Sequence, residues 1–510
     1  MSKKNVLNID VSNFGPIEKG NIQTNQLTVI IGPNSSGKSF LTILLYTIFD
    51  LGSQIFYHTR RGRMEKKHLI QNYSEDIDKM VESIREGKTE IKISSKIRNE
   101  YMKYYLKMIF EDVFNKQLET NLGLTISQLK RNGSKLPLIN INLKNGQILK
   151  LKGVNEGFKI KNIDEIFPIK TDETYNVKID MKNNYLTLES GNAKYIVPYA
   201  EKKDITRDTI TEQINEILSN NIITIILNEI TYEKTHYPFS FQPPEYGIHY
   251  LPAGRSGLLE GQDAIMASAL DLMEFRKGAE TLVLKGVVIK FLKEFNFLRP
   301  PKQENGILYK ISDEAQEEIL EGKLKVDPGK ERGKSSIYLQ KNGFRIPFRN
   351  LSSSYVEISP LLLFLQYTIK RGDIVFIEEP EAHMHPNNIR YIAKLIVKLL
   401  RNNVNIIINT HSEYFLTQLS LCVALDNIKD EKAKAKIQSK YGYSPIDYIK
   451  TTEIVVNCIC KNIDGFRIQQ VGVHEDGIDQ ELFENIIEKL YEETNDIQYT
   501  LAGQIDDSVK

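Results

Sequence analysis

The sequence predicts an α/β protein in which a mixed sheet with flanking helices surrounds a phosphate loop. A large α+β insertion and a small C-terminal strand-strand-helix unit accompany that sheet. Three observations carry this expectation. Gly32-Pro33-Asn34-Ser35-Ser36-Gly37-Lys38-Ser39 reads G-x-x-x-x-G-K-S between apolar runs at 27–31 and 40–49, the strand, loop and helix order that a phosphate loop requires. Far downstream, Asp373-Ile374-Val375-Phe376-Ile377-Glu378-Glu379-Pro380 puts two carboxylates at the end of a run apolar enough for a strand buried on both faces. A second such run, 404–408, leads into Asn409-Thr410-His411-Ser412.

Residues 6–31 read as strands with breaks at Asn13-Phe14-Gly15-Pro16 and Asn25-Gln26, and the helix after the loop runs to about residue 51. From 52 to 245 the character changes. A charged helical region at 65–122 gives way to alternating strands at 138–143, 177–181 and 185–188. The turns Lys144-Asn145-Gly146 and Lys182-Asn183-Asn184 predict β-hairpins with one wet face. A helical stretch at 202–232 closes this segment, which reads as a helical and β-hairpin insertion splitting one nucleotide-binding domain into 1–51 and 246–425.

The segment 248–257 reads as a core strand ending in a loop, with helical patterning at 263–297 and strands around 336–339 and 344–347. Ser352-Ser353-Ser354 is placed to cap an apolar helix at 358–369. After His411 come a helix at 413–425, a lysine-rich connection, strands at 453–460 and 465–471, and an amphipathic helix at 480–493. Residues 426–510 read as a C-terminal α+β extension. No internal repeat and no sustained heptad pattern is present.

At 510 residues the chain is too long for one compact core. With 67 Lys plus Arg against 66 Asp plus Glu there is no global field to select a partner, so nucleic acid stays a candidate only through a local basic face. The three cysteines, Cys422, Cys458 and Cys460, lie in or beside apolar runs and read as buried reduced thiols, which suits a reducing cytosol. No apolar run approaches the roughly 18 residues of a membrane span, and the N-terminus leads into a strand. A cytoplasmic protein without a membrane partner is expected.

The motifs specify chemistry. The glycines of the loop permit torsions closed to other residues, so backbone N–H groups from Asn34, Ser35, Ser36, Gly37, Lys38 and Ser39 can point at phosphates. Lys38 would neutralise the β- and γ-phosphates of ATP, and Ser39 would ligate Mg2+. Glu378 is placed to hold the metal through water, Glu379 to take a proton from attacking water, and His411 to reach the γ-phosphate. His383 and His385 have H-x-H spacing without a third ligand nearby, so loop packing at a subunit interface is the better reading.

In order and spacing these motifs resemble an ABC-type ATPase of the RecF, SMC and OLD kind: a Walker A loop, a serine-rich signature, a Walker B strand and a switch histidine. More narrowly, Leu251-Pro252-Ala253-Gly254-Arg255-Ser256-Gly257, Ser353-Ser354, Ile377-Glu378-Glu379-Pro380-Glu381-Ala382-His383-Met384-His385-Pro386 and Thr410-His411-Ser412 resemble the OLD-related AAA ATPases of bacterial defence operons, such as the PtuA subunit of Septu and the AriA subunit of PARIS. The likeness covers about residues 1–51 and 246–425. It implies a homodimer or higher homo-oligomer in which Ser352, Ser353 and Ser354 of one copy complete the ATP site of another, with Arg255 among the nucleotide-binding residues. Tyr355 departs from the family, which usually has glycine there, and a bulky side chain would hold the helix end away from the phosphate.

OLD proteins continue into a TOPRIM-type nuclease, yet Glu475-Asp476-Gly477-Ile478-Asp479 lacks the D-x-D strand end and reads better as a loop. The expectation is therefore an ATPase that senses or regulates within an anti-phage defence complex, with a nuclease or toxin effector on another chain. The alternatives are a RecF- or SMC-like DNA repair or maintenance ATPase and, from Tyr355, an ATP-dependent assembly scaffold with very slow turnover.

Overall fold

The computed structural model describes residues 7–60, 79, 82–83, 90–93, 95–130, 135–144, 146–163, 175–180, 185–190, 193–198, 246–264, 284–300, 306–327, 335–479 and 493–498. The helices expected at 202–232 and 480–493, most of that at 263–297 and the turn at 182–184 lie outside these residues, apart from Glu493.

In chain order the strands are β1 (Asn8–Phe14), β2 (Ile17–Gln23), β3 (Leu27–Ile31), β4 (Glu90–Ile93), β5 (Leu138–Asn142), β6 (Ile148–Val154), β7 (Gly157–Ile160), β8 (Tyr175–Asp180), β9 (Tyr185–Ser190) and β10 (Ala193–Pro198). There follow β11 (Ile248–Leu251), β12 (Lys323–Asp327), β13 (Ser336–Lys341), β14 (Phe344–Pro347), β15 (Ile374–Glu378), β16 (Asn405–Thr410), β17 (Ile454–Asn462) and β18 (Gly465–Val471). Eleven of these form one mixed sheet in the order β11-β15-β16-β3-β17-β18-β2-β1-β5-β6-β7. From β11 to β17 the neighbours are parallel. Such strands need cover on both faces, and every residue of β3, β11 and β15 is buried.

The cover on one face is the helix Lys38–Arg60, which starts in the phosphate loop and packs along β11, β15, β16 and β3. Its Tyr46 meets Tyr250 of β11 edge-on at 5.1 Å and Phe376 of β15 at 5.5 Å. Such contacts add about 0.5–1.5 kcal/mol each beyond burial, enough to fix the rotation of the helix over the sheet. The amphipathic helix Pro386–Arg401 and the helix Glu413–Asn427 pack against each other, the former also against β16.

The sheet draws on parts of the chain that the sequence reads as separate. The hairpin β5-β6 and strand β7 continue it from β1, and Asn121 of the helix Phe114–Leu122 donates to Thr47 of the phosphate-loop helix. β17 lies directly beside β3, with β18 between β17 and β2. Two local expectations change. Glu90–Ile93, inside the stretch read as helical, is a strand paired with β8, and the lysine-rich connection contains a helix, Glu431–Tyr441, capped by the Asp430 carboxylate. Ala-Lys repeats favour helix over coil once a cap is supplied. Residues 475–476 form the turn of a two-stranded pair, as a loop reading allows.

On β11 the buried His249 lies between two carboxylates, Nδ1 2.6 Å from Glu294 and Nε2 3.0 Å from Asp373. Both ring nitrogens must donate, so the ring is an imidazolium. Burial opposes the charge, but the hydrogen bonds to Asp373 and Glu294 outweigh it and raise the pKa to about 9. Because this value exceeds the unfolded one, the stabilisation is full below pH 6.5 and is lost as pH rises through 9, to the extent of at most ~3 kcal/mol. Denaturant midpoints of the wild type should fall between pH 6.5 and 9.5 more steeply than those of His249→Gln. Parallel profiles would refute the charged-ring account.

Candidate nucleotide site

Because β15, β16 and β3 are consecutive parallel neighbours, the loop after β3, Glu378 and Glu379 at the end of β15, and His411 just past β16 all emerge at one edge. Crossover topology makes this edge, outside the carboxyl ends of the strands, the ligand side of an open α/β sheet.

The loop is shaped by torsions that only a few residues tolerate. Gly32 has φ 149° and Gly37 φ 106°; a Cβ on Gly32 would sit 2.6 Å from the Ile459 carbonyl, and one on Gly37 2.9 Å from Pro16. Ser35 also has positive φ, 61°. Asn34 and Ser35 are exposed, whereas Ser36 is buried with its Oγ unpartnered among the described residues. Lys38 is buried, its Nζ donating to the carbonyls of Gly32 at 2.8 Å and Pro33 at 2.9 Å. Burial lowers the pKa of this ammonium, and Glu379, Glu381 and Glu378 oppose that shift. A buried cation folded onto its own loop beside an orphaned hydroxyl fits a triphosphate, which would offer both of them acceptors. Ser39, half-buried in the first turn of the helix, and Glu378 are the residues that would hold Mg2+.

Glu378 is buried at the strand end. Its Oε2 accepts from the Ala253 N–H at 3.1 Å and its Oε1 from Asn409 Nδ2 at 3.0 Å. Asn409 Nδ2 also donates to Thr42 of the phosphate-loop helix at 3.1 Å, so one amide ties the loop's helix to the carboxylate. Glu379 adopts φ 45° and donates its N–H to the Asn409 carbonyl at 2.9 Å. A non-glycine residue at positive φ costs on the order of 1 kcal/mol and here turns the side chain out of the strand's alternation. His411 Nδ1 lies 3.5 Å from Glu379 Oε1 and 4.0 Å from Glu381 Oε1. Glu381 is buried, which pushes its carboxyl up against the opposing hydrogen bond from Thr410.

Arg255, expected among the nucleotide contacts, is placed differently. It is fully buried, and its guanidinium makes four hydrogen bonds and one ion pair inside the chain. Nε donates to Glu357 O at 2.8 Å, Nη1 to Pro252 O at 3.0 Å and Glu378 O at 2.8 Å, and Nη2 to Glu379 O at 3.3 Å, with the Glu357 carboxylate forming an ion pair at 3.1 Å from Nη2. Buried and bonded to the backbone of both strand-end carboxylates, Arg255 acts as a clasp beneath the carboxylate turn rather than an exposed phosphate contact. Its motif shows that a cation belongs there but not which way the side chain faces.

The serine cluster starts the helix Ser353–Tyr367. Ser352 holds the N-cap position without a side-chain cap bond, and its Oγ lies 3.1 Å from that of Ser354. Ser352 and Ser353 are exposed. Tyr355 is half-buried against the core, with the Lys341 ammonium of β13 5.6 Å from its ring centroid. The ring is thus partly taken up by the core rather than left fully exposed. His385 caps the helix Pro386–Arg401 by accepting from the Asn387 N–H, and His383 has φ 60° in the preceding turn.

Asn409, Glu357 and Glu381 belong to this constellation and were not singled out from sequence. A polar residue closing an apolar strand, as Asn409 does, was the available signal. Residues 271–416 match an AAA ATPase domain. That span contains the carboxylate strand and His411 but not the phosphate loop. No curated protein is matched. Among solved structures, an Smc head bound to the C-terminal winged-helix domain of ScpA is similar at 12% identity and TM-score 0.34, over 91% of this chain and 98% of that one. An Smc head with an extended coiled coil, bound to a ScpA domain and derived from Pyrococcus furiosus, gives 12% and 0.33 over 95% and 98%; the Thermotoga maritima SMC head gives 10% and 0.31 over 92% and 100%. Among the described residues no group of three or more His, Cys, Asp and Glu could hold a metal, and no helix is long and apolar enough to cross a membrane.

Proposed function

We propose that this chain binds and hydrolyses ATP with Mg2+ at a site completed by the serine helix of a second copy. The observation that carries the reading is the convergence at one sheet edge of Lys38, the Glu378-Glu379 pair and His411. Bound ATP would supply the phosphoanhydride that is cleaved. The chain's part is to neutralise phosphate charge through Lys38 and the loop N–H groups, hold the metal through Ser39 and Glu378, accept a proton at Glu379, and orient donors through His411. The exposed Ser352 and Ser353, with the free N–H groups of a helix start, supply donors that suit a partner's triphosphate.

Complementation tests this. Ser353→Glu and Lys38→Ala should each be inactive alone, one opposing the phosphates from the signature side and the other lacking the loop cation. A head-to-tail pair of the two retains one intact site, so mixing equal amounts should restore about a quarter of wild-type hydrolysis. No recovery on mixing would sink the shared-site reading.

We further infer a sensing or regulatory role in a bacterial anti-phage defence complex whose nuclease or toxin is another chain; the motif resemblance supports this. Within the proposed insertion, β5 to β7 complete the main sheet and cannot be removed cleanly, whereas β8 to β10 form a separate sheet with β4. That four-stranded sheet is our candidate partner surface. Replacing 175–198 with a Gly/Ser linker should spare ATP binding and eliminate effector capture in a pull-down. Full capture by the shortened chain would place the surface elsewhere.

A further inference from the structure

We infer that Glu381 is a positioning residue that fixes which edge of the His411 ring faces the carboxylates; the inference rests on the ATPase reading above for its consequence, though not for its geometry. Glu381 stands two residues beyond the carboxylate pair, across Pro380, and is 7% exposed. Its Oε1 accepts from Thr410 Oγ1 at 2.5 Å, and Thr410 Oγ1 in turn accepts from the Ser412 N–H at 2.9 Å. The residues on both sides of His411 are therefore pinned to one buried oxygen. The same Oε1 lies 4.0 Å from His411 Nδ1, and Glu379 Oε1 lies 3.5 Å from that nitrogen.

An imidazole nitrogen facing two carboxylate oxygens carries hydrogen, since an unprotonated Nδ1 would oppose lone pair to lone pair. Nε2 is left as the variable edge of a half-exposed ring. Packing alone does not account for a carboxylate at this position. Glu381 Oε2 is buried without a partner among the described residues, so burial of this group carries a cost that an apolar residue of similar size would avoid. The compensating gain lies in the hydrogen bonds that the carboxyl takes from Thr410 and from the backbone of Glu381 and His411, with Oε1 facing both the Thr410 hydroxyl and His411 Nδ1.

The test uses the full chain with 15N-labelled histidine and reads the His411 ring tautomer from long-range proton–nitrogen correlations, alongside single-turnover hydrolysis and nucleotide affinity. The wild type should show His411 with hydrogen on Nδ1. Glu381→Ala should shift the signal toward a tautomer mixture and slow hydrolysis at least tenfold, with nucleotide affinity held within about threefold. Glu381→Gln keeps an oxygen for Thr410 and should recover most of the wild-type signature. If Glu381→Ala does not fold, Thr410→Val carries the same readout, because it severs the same oxygen from the strand end. An unchanged His411 signature in the folded variants overturns the proposal. If the wild type proves unable to hydrolyse ATP, the tautomer shift still decides the positioning role, and the ATPase reading fails separately.

Discussion

Lys38→Ala is expected to abolish measurable ATP binding while leaving the melting temperature within a few degrees of wild type. The fold should tolerate the change because the Lys38 ammonium bonds only to two carbonyls of its own loop, and its burial is opposed by desolvation. Removing it relieves that cost and exposes two acceptors to water. Binding should not tolerate it. Charge-assisted hydrogen bonds to phosphate are each about 1.5–3 kcal/mol, and two of them lost together correspond to roughly a hundredfold or more in affinity. Titration calorimetry with a slowly hydrolysed ATP analogue checks the result; an unchanged dissociation constant would remove the phosphate-loop assignment.

Glu379→Gln is expected to keep that affinity and to cut hydrolysis by about 10²- to 10⁴-fold, the range contributed by a positioned general base. The substitution leaves the turn intact, since the backbone N–H of residue 379 holds Asn409 whatever the side chain. Size and hydrogen-bonding reach toward His411 are preserved and only basicity is lost. With hydrolysis blocked, ATP should accumulate on the protein and hold copies together, seen as an ATP-dependent shift to dimer in gel filtration. Hydrolysis near the wild-type rate would assign the base elsewhere, and Glu381 would be the next carboxylate to examine.

The phosphate loop, the strand before it, the carboxylate strand and the histidine strand were legible because each is a local pattern: an apolar run of strand length ending in residues that cannot belong to a core. The hairpin β5-β6 and the separate strands β13 and β14 were legible from local alternation and turn residues. What the sequence hid was non-local. Nothing near Ile454 announces that β17 pairs with β3, because pairing partners hundreds of residues apart leave no mark on local periodicity. Direction was hidden as well. Arg255 sits in a motif that suggests ligand contact, and only the placement of five carbonyl and carboxylate acceptors around it shows a buried clasp. Glu90–Ile93 was masked by its charged neighbours, its partner β8 lying far along the chain.

The position of β17 bears on how the molecule is made. The strand that launches the phosphate loop ends at residue 31, yet one of its two neighbours, β16, ends at residue 410 and the other, β17, at residue 462. At about 5–20 residues per second, β3 waits on the order of half a minute to a minute and a half on the ribosome before both edges can be paired. During that time an apolar strand with open hydrogen-bonding edges is a template for unintended partners. On the proposed nucleotide reading, the site is complete only once β17 has been made, so ATP would begin to stabilise the fold no earlier than that. A release-stalled nascent chain ending before Ile454 should recruit chaperone and fail to retain ATP, whereas one that exposes residues through 471 should retain it.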